Sequence, residues 1–217
     1  VRRFDTLSDT DRKHIKNAID EMAQKPLLSV LMPTYNTKLE WIKAAVNSVL
    51  NQLYENWELC IADDASTSDE LKQYLTELPE SDTRITVVFR RENGHISAAS
   101  NSALELCTGD WVALMDHDDV IPEHALFHVA DAINRNPDAQ LIYSDEDKLS
   151  ESGTRVNPYF KSDWNRDLFY SHNLITHLGV YRRDILNDIG GFRIGFEGAQ
   201  DYDVALRFIE KIDAQNI

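Results

Sequence analysis

Apolar positions along the chain alternate between short continuous runs and helical stripes. Ser8-Asp9-Thr10-Asp11 carries a helix N-cap signature, and Ile15, Ala18, Ile19 and Met22 follow at helical spacing. This predicts an amphipathic helix over residues 7–25, closed by Pro26. Leu27–Met32 reads as a short buried strand stopped by Pro33, with a helical stripe of Leu39, Ile42, Val46, Val49, Leu50 and Leu53 behind it. The pattern recurs with Trp57–Ala62 as strand and Leu71, Tyr74, Leu75 and Leu78 as helix. It recurs again with Ile85–Phe89 as strand and Ile96, Ala99, Ala103, Leu104 and Cys107 as a helix ended by Gly109. Trp111–Met115 is the fourth strand, before a helix from Pro122 that carries Leu126, Val129, Ala130 and Ile133 and ends at Asn136-Pro137; Leu141–Tyr143 is the fifth. Successive strand–helix units predict an α/β fold, a mostly parallel sheet flanked by helices.

Beyond Tyr143 the alternation gives way to acidic, aromatic and Gly-rich text. Asn173–Tyr181 is strand-like, and a last helix carries Val204, Ala205, Phe208, Ile209 and Ile212. No repeat, Pro/Ser-rich linker or low-complexity run separates this part, which reads as the second half of one domain. At 217 residues with 42% hydrophobic and 27% charged residues, the chain can bury a full core. It has 22 Lys plus Arg against 37 Asp plus Glu, a net charge of −15, which repels phosphate backbones and argues against a nucleic-acid partner. The longest apolar stretches fall far short of the roughly 20 residues needed to span a bilayer, and nothing at the N-terminus resembles a signal core. Cys60 and Cys107 lie inside apolar patterns rather than at metal-ligand spacing, which predicts reduced thiols and a cytoplasmic setting. The absent initiator Met and an end at a helical pattern suggest a piece of something longer.

The candidate chemistry lies in where the carboxylates fall. Asp63-Asp64 ends the second predicted strand, Asp116-His117-Asp118-Asp119 the fourth, and Asp145-Glu146-Asp147 the fifth. Open parallel sheets bind ligands outside the carboxyl ends of their strands, so three acidic clusters are delivered to one rim. A single Asp at a strand end is ordinary turn and capping chemistry. A turn with Asp116, Asp118 and Asp119 together needs its mutual repulsion compensated. A hard divalent ion, Mn²⁺ or Mg²⁺, would do so, taking its other ligands from water and substrate phosphates, which implies a nucleoside diphosphate compound.

Five strings in order, Ser29-Val30-Leu31-Met32-Pro33-Thr34-Tyr35-Asn36, Ala62-Asp63-Asp64-Ala65-Ser66, Asn93-Gly94 through Asn101, Gly109-Asp110-Trp111 to Asp119, and Gly198-Ala199-Gln200-Asp201-Tyr202-Asp203 with Arg207, resemble the family 2 glycosyltransferases. The similarity is greatest to bacterial surface-polysaccharide enzymes, including rhamnosyltransferases, and covers residues 27–212; residues 1–26 form a lead-in helix without a counterpart. It implies a GT-A fold over 27–217, with a nucleotide-binding half at 27–120 and an acceptor half at 121–217 truncated at its C-terminus. It implies a nucleotide-binding set of Pro33, Tyr35, Asn36, Asp63, Asp64, Asn93 and Asp116. Tyr35 would stack on the base, or else be a loop aromatic, and Asp64 would accept from a pyrimidine N3–H, which selects uracil or thymine over cytosine. Asp116 and Asp118 match the metal motif, with Asp118 the direct ligand, Asp116 on the ribose or acting through water, and Asp119 able to exchange with Asp118. His117 is expected to point away as a structural residue.

Asp201 falls where inverting members place the general base, or else caps the last helix; Gln200 replaces the more common Glu of that motif. Asp145, Glu146 and Gln200 would meet the donor sugar or acceptor, unless 145–148 is a solvated turn. His172 and His177 near Asn173 line the acceptor cleft or are core or surface residues, and Gly190-Gly191-Phe192 opens a flexible stretch that could close over the donor. The expected activity is metal-dependent, inverting transfer from a UDP- or dTDP-sugar to a glycan or lipid-linked glycan acceptor of O-antigen or capsule type. It would take place in the cytoplasm, with peripheral contact at the inner membrane face open to the longer protein. Two other readings stand beside it. One is a non-catalytic nucleotide-sugar-binding half of a larger transferase. The other is a sugar-phosphate nucleotidyltransferase, although Pro33-Thr34-Tyr35-Asn36 is not the Gly-rich basic loop such enzymes carry.

Overall fold

The computed structural model describes residues 6–150 and 153–217, so the first five residues of the lead-in lie outside the described part. Ser8 caps helix α1 (Asp9–Glu21), its side chain accepting from the Asp11 N–H while the Asp11 carboxylate answers at the Ser8 N–H (2.8 Å). Ile15, Ile19 and Met22 pack against the main core. Arg12 forks onto Glu123 (2.9 and 2.7 Å), and the Gln24 backbone N–H and carbonyl hydrogen-bond the Asn134 side-chain amide, which docks the lead-in beside α5 (Ala125–Arg135).

The alternation read from the sequence is present as β1 (Leu28–Thr34), α2 (Leu39–Leu50), β2 (Trp57–Asp63), α3 (Asp69–Ser81), β3 (Ile85–Phe89), α4 (His95–Leu104) and β4 (Trp111–Leu114), followed by α5 and β5 (Leu141–Ile142). Strands β1 to β4 pair in parallel in the order β3-β2-β1-β4. Their side chains alternate between two cores. Leu28, Val30 and Met32 face α2, α3 and α5, whereas Leu31, Cys60, Ala62 and Val112 face α4 and the later helices. Both cysteines are free and buried.

Three expectations change. Pro33 does not stop β1, because β4 pairs only as far as Leu31, so the missing N–H costs no ladder bond there. The strand-like run Asn173–Tyr181 narrows to β8 (Gly179–Arg182), and β8 inserts antiparallel between β4 and β5 to give the order β3-β2-β1-β4-β8-β5. Short apolar runs do not encode direction, which is why this pairing was not read from the pattern. The text after Tyr143 also contains a hairpin of β6 (Glu146–Leu149) and β7 (Arg155–Tyr159), then α6 (Arg166–Ser171), α7 (Arg183–Asp188) and α8 (Gln200–Ile209). Since β8 and β5 complete the sheet begun by β1–β4, the two sequence halves share one sheet. Among the described residues no helix is long and apolar enough to cross a membrane.

Candidate active site

Strand order reverses between β1 and β4, and outside the carboxyl ends of such strands an open α/β sheet presents its ligand crevice. On the β1–β2 side the chain leaves β1 through Asn36, whose φ of 44° lies in the left-handed region that Asn tolerates best after Gly. Its N–H donates to Ser66 Oγ (2.8 Å) and its Oδ1 accepts from the Thr67 N–H (2.8 Å), tying the loops after β1 and β2 together. Tyr35 beside it stays exposed. Asp63 and Asp64 are both buried. Asp63 Oδ2 accepts from the Ser66 N–H (3.0 Å), while its Oδ1 has no hydrogen-bond partner among the described residues. Asp64 Oδ1 accepts from Arg90 Nε (2.7 Å) and the Gly94 N–H (3.0 Å), and Asn93 Nδ2 donates to the Asp64 carbonyl (3.3 Å). A Cβ on Gly94 would come within 2.6 Å of the Arg90 guanidinium, so glycine is what allows this approach.

The turn after β4 divides its four residues. His117 turns back, its Nδ1 3.1 Å from the Pro33 carbonyl at the end of β1. Asp116 and Asp119 point instead to His177, whose Nε2 is 3.3 Å from Asp116 Oδ2 and 3.0 Å from Asp119 Oδ2. The hydrogen bond to Asp116 and the charges of Asp119, Asp116 and Glu146 outweigh burial and push His177 up to about 9. Burial alone would raise Asp116, but the bond and charge of His177 pull it below the usual carboxylate range. Asp119 is raised, by burial first and then by Asp116 and Asp118. One ligand-type atom each from Asp116, Asp119 and His177 lies within 4.8 Å of the others. Two carboxylates and an imidazole so placed fit a divalent cation. Asp118 is outside this group.

The third side of the crevice comes from loops. Glu146 Oε2 accepts from Thr176 Oγ1 (2.7 Å) and the His177 N–H (3.1 Å), and Lys161 Nζ lies 3.4 Å away. Asp145 Oδ1 accepts the Lys161 N–H (2.8 Å). Ala199 occupies the N-cap of α8 without a side-chain cap bond, so Asp201 is not the cap; its Oδ2 accepts from Asn173 Nδ2 (2.8 Å). Gln200 Oε1 accepts the Gly198 N–H (2.7 Å). Burial first, then the Asp201 charge, pushes the Tyr181 phenol up.

A cavity of about 200 Å³ brings Pro33, Asp116, Asn173, His177, Gln200 and Asp201 onto one lining. A larger depression of about 760 Å³ between the end of α5, β5 and Lys161–Trp164 contains Asp145 but none of Asp116, Asp119, His177 and Asp201. Size therefore does not locate the chemistry; the converging acids do. Sequence reasoning did not single out Arg90 as the holder of Asp64, Asn173 as the holder of Asp201, or the Glu146–Lys161 pair. It left His177 as one of two cleft histidines. No local spacing links these partners, which meet only through tertiary packing.

Residues 29–190 match the profile of Glycosyl transferase family 2. The chain is 46% identical over 210 residues to the uncharacterized protein y4gI of Sinorhizobium fredii, covering 95% of the chain and 23% of that protein. It is 36% identical over 195 residues to the O-antigen biosynthesis protein RfbC of Myxococcus xanthus, covering 90% of the chain and 15% of that protein. With the putative colanic acid biosynthesis glycosyl transferase WcaA of Escherichia coli it shares 34% identity over 197 residues, covering 87% of the chain and 68% of that protein. The chain thus spans less than a quarter of the first two relatives. Among solved structures, S. aureus TarS 1-349 in complex with UDP-GlcNAc superposes with a TM-score of 0.67 at 24% identity, over 83% of this chain and 52% of that one. The mannosyltransferase PcManGT from Pyrobaculum calidifontis in complex with GDP-Man and Mn²⁺ gives 0.64 at 20%, over 91% and 58%. At these identities the superpositions speak for the fold, which is GT-A-like: a mostly parallel sheet flanked by helices.

Proposed function

The chain belongs to glycosyl transferase family 2, and on that premise we propose that it catalyses metal-dependent, inverting transfer of a sugar from a UDP- or dTDP-sugar to a growing surface glycan. The observation that carries this reading is the shared lining of one cavity by Asp116, from the acidic turn, and Asp201, from the first turn of α8 opposite. Inverting transfer requires that separation of roles: a diphosphate end and, across the sugar, one base. Tyr35 offers its exposed face to the base, and Asp64, prepaid by Arg90 and Gly94, offers its remaining lone pairs to an imide N–H. Pro33, Asn36, Asp63 and Asn93 shape that pocket through the loop staples described above. Asp116, with Asp118 or Asp119, would hold Mn²⁺ or Mg²⁺, which would supply neutralisation of charge on the leaving diphosphate. PcManGT is a relative in fold with Mn²⁺ bound.

Asp201, oriented by Asn173, takes the proton of the acceptor hydroxyl, and Gln200, Asp145 and Glu146 border the sugar. The acceptor is a glycan or lipid-linked glycan, in keeping with relatives named for O-antigen and colanic acid biosynthesis, and the work is done in the cytoplasm. Calorimetry tests the donor side: UDP should bind with Mn²⁺ present and lose binding in EDTA, because without the cation the acidic rim repels the diphosphate. Equal affinity in EDTA removes the metal from the reading. Tight UDP-sugar binding with neither hydrolysis nor transfer would make the chain a binding module instead.

A further inference from the structure

We infer that the exposed ring of Tyr159 is a stacking subsite on the acceptor side, taking the C–H face of a neutral pyranose next to the sugar whose hydroxyl reaches Asp201. This rests on the glycosyl-transfer reading above and adds to it where the acceptor is held and what kind of sugar it carries. Placement comes first. Tyr159 ends β7 and pairs across the hairpin with Glu146, whose Oε2 accepts from Thr176 Oγ1 (2.7 Å) and the His177 N–H (3.1 Å). Its hydroxyl lies 3.1 Å from His172 Nε2, and the next residue, Asn173, donates to Asp201 (2.8 Å). Asn173, Thr176, His177 and Asp201 all line the cavity of about 200 Å³. Both ties of Tyr159 thus lead in one step to that lining, and a glycan with its end at Asp201 meets the ring where it leaves the cavity.

The second observation is which part of the side chain is left free. Tyr159 is 37% exposed although its hydroxyl is engaged with His172, whose Nδ1 is in turn 3.2 Å from Ser171 Oγ. What remains for a partner is ring surface rather than the polar tip. Phe160 and Tyr170 are exposed as well, the Tyr170 hydroxyl accepting from Arg166 Nε (3.2 Å) and Nη2 (3.1 Å). Exposed aromatics interleaved with bonded polar groups make a poor surface for an apolar partner, which needs a continuous patch. They suit a pyranose: its polarised C–H bonds are drawn to the electron-rich face of a ring, and its edge hydroxyls reach the polar groups between. Charge narrows the class. Asp163 and Asp167 are exposed between the two tyrosines in a chain of net charge −15, so a uronate is repelled where a neutral sugar is not.

NMR of the whole chain with ¹³C-labelled tyrosine rings, saturated with Mn²⁺ and UDP or dTDP, reads the contact directly. The chain has eight tyrosines, and Tyr159→Phe identifies the Tyr159 signal by its loss. Titration with the methyl glycosides of glucose, galactose, mannose, rhamnose and N-acetylglucosamine should shift that signal for at least one of them, and the C–H protons of that sugar should move upfield in the ring current. Methyl glucuronoside should act more weakly. For the sugar that binds, Tyr159→Leu should weaken binding roughly three- to tenfold, while Tyr159→Phe, which keeps the ring and loses the His172 bond, should leave it nearly unchanged. Nucleotide affinity and melting temperature should match wild type in both variants. A Tyr159 signal unmoved across the panel overturns the inference, and so does an equal loss in the Phe and Leu variants, which would make the His172 bond the feature that matters. An equal or larger response to methyl glucuronoside overturns the neutral-sugar assignment. If neither UDP nor dTDP binds with Mn²⁺, the transfer reading itself falls; nucleotide binding with a silent Tyr159 leaves that reading standing. The wild-type titration does not depend on the Leu variant folding.

Discussion

Asp64 is carried to the rim by β2 and locked there by Arg90 and Gly94, which arrive on the next strand–helix connection. Asp201 is carried by α8, but its orientation depends on Asn173 in the loop between α6 and β8. The β1–β2 side of the crevice inherits its geometry from the parallel ladder, and any one side chain can be lost without losing the strand ends. The β8 side is assembled by side chains bridging loops: Glu146 and Lys161 hold residues 175–177, and Asp203 with Arg207 and Arg193 holds residues 189–193. A rim built half by ladder and half by bridges should therefore respond differently to substitutions on its two sides, chemically at Asp201, structurally at Asp203, and in affinity alone at Tyr35.

The largest effect is expected at Asp201. Asp201→Asn keeps size and can still accept the Asn173 hydrogen bond, yet it cannot take a proton, and it removes no helix cap because Ala199 holds that position. Transfer should fall by roughly 10²–10⁴ with UDP affinity and melting temperature almost unchanged. Steady-state kinetics beside calorimetry and a thermal melt check all three. Full transfer by the variant would end the catalytic assignment and move attention to Asp145.

A smaller effect, and one of stability, is expected at Asp203. Its carboxylate is 6% exposed and binds Arg193 through both oxygens and Arg207 Nε (2.9 Å), while Arg207 also donates to the Ile189 (2.7 Å) and Gly191 (2.6 Å) carbonyls. Burial alone would raise this carboxyl; the hydrogen bonds from Arg193 and Arg207 bring it below its usual 3.8. A carboxyl lowered on folding adds stability that is fully present above its unfolded value and is lost as pH falls through the folded one. Asp203→Asn should cost about 2 kcal/mol at neutral pH, given the half-exposed Arg193, or a fall in melting temperature of about 4–8 °C for a domain of this size. The gap between wild type and variant should close below pH ~3.8. Parallel melts across that range decide it; a gap that persisted unchanged at low pH would mean the bridge does not hold the loop.

The same contrast explains what was legible in the chain. Residues 27–135 could be read because Val30, Ile42, Val46, Leu59, Leu71 and Leu75 sit at the periods of strand and helix and all enter one core, so patterning and tertiary structure agree. Asp63, Asp64 and Asp116 followed from being strand-end residues. The pairing of β8 between β4 and β5 was hidden because a four-residue strand says nothing of direction, and hairpin β6–β7 was hidden because β6 is mostly charged and β7 wholly exposed, so neither shows a buried apolar pattern. His177 meets Asp116 and Asp119 from a loop whose backbone is held by Glu146 and Lys161, partners far from it in sequence. The motif reading named Asp118 as the direct ligand with Asp119 able to exchange with it, because spacing within a four-residue turn does not say which carboxylates converge; Asp119 is the one grouped with Asp116 and His177.

The smallest effect lies on the ladder-built side. Tyr35 is 46% exposed, and the described contacts place it beside Asn36 without giving it a packing role, so removing its ring should leave the fold intact. If the ring stacks on the base, Tyr35→Leu keeps an apolar side chain but forfeits the flat π-face, and UDP binding should weaken by about 1 kcal/mol, roughly fivefold in Kd. Binding of inorganic diphosphate with Mn²⁺, which has no base to stack, should not change. Calorimetry with both ligands separates the outcomes: an equal loss for UDP and diphosphate would place Tyr35 near the phosphates, no loss for either would leave it a surface aromatic, and a loss for UDP alone assigns it to the base. Because Asp64 is locked by Arg90 and Gly94 without help from Tyr35, selectivity for UDP over CDP should survive in the variant even as affinity falls. Base choice would then reside in the buried carboxylate and base affinity in the exposed ring, two roles that adjacent strand ends can carry separately because each is positioned by its own strand.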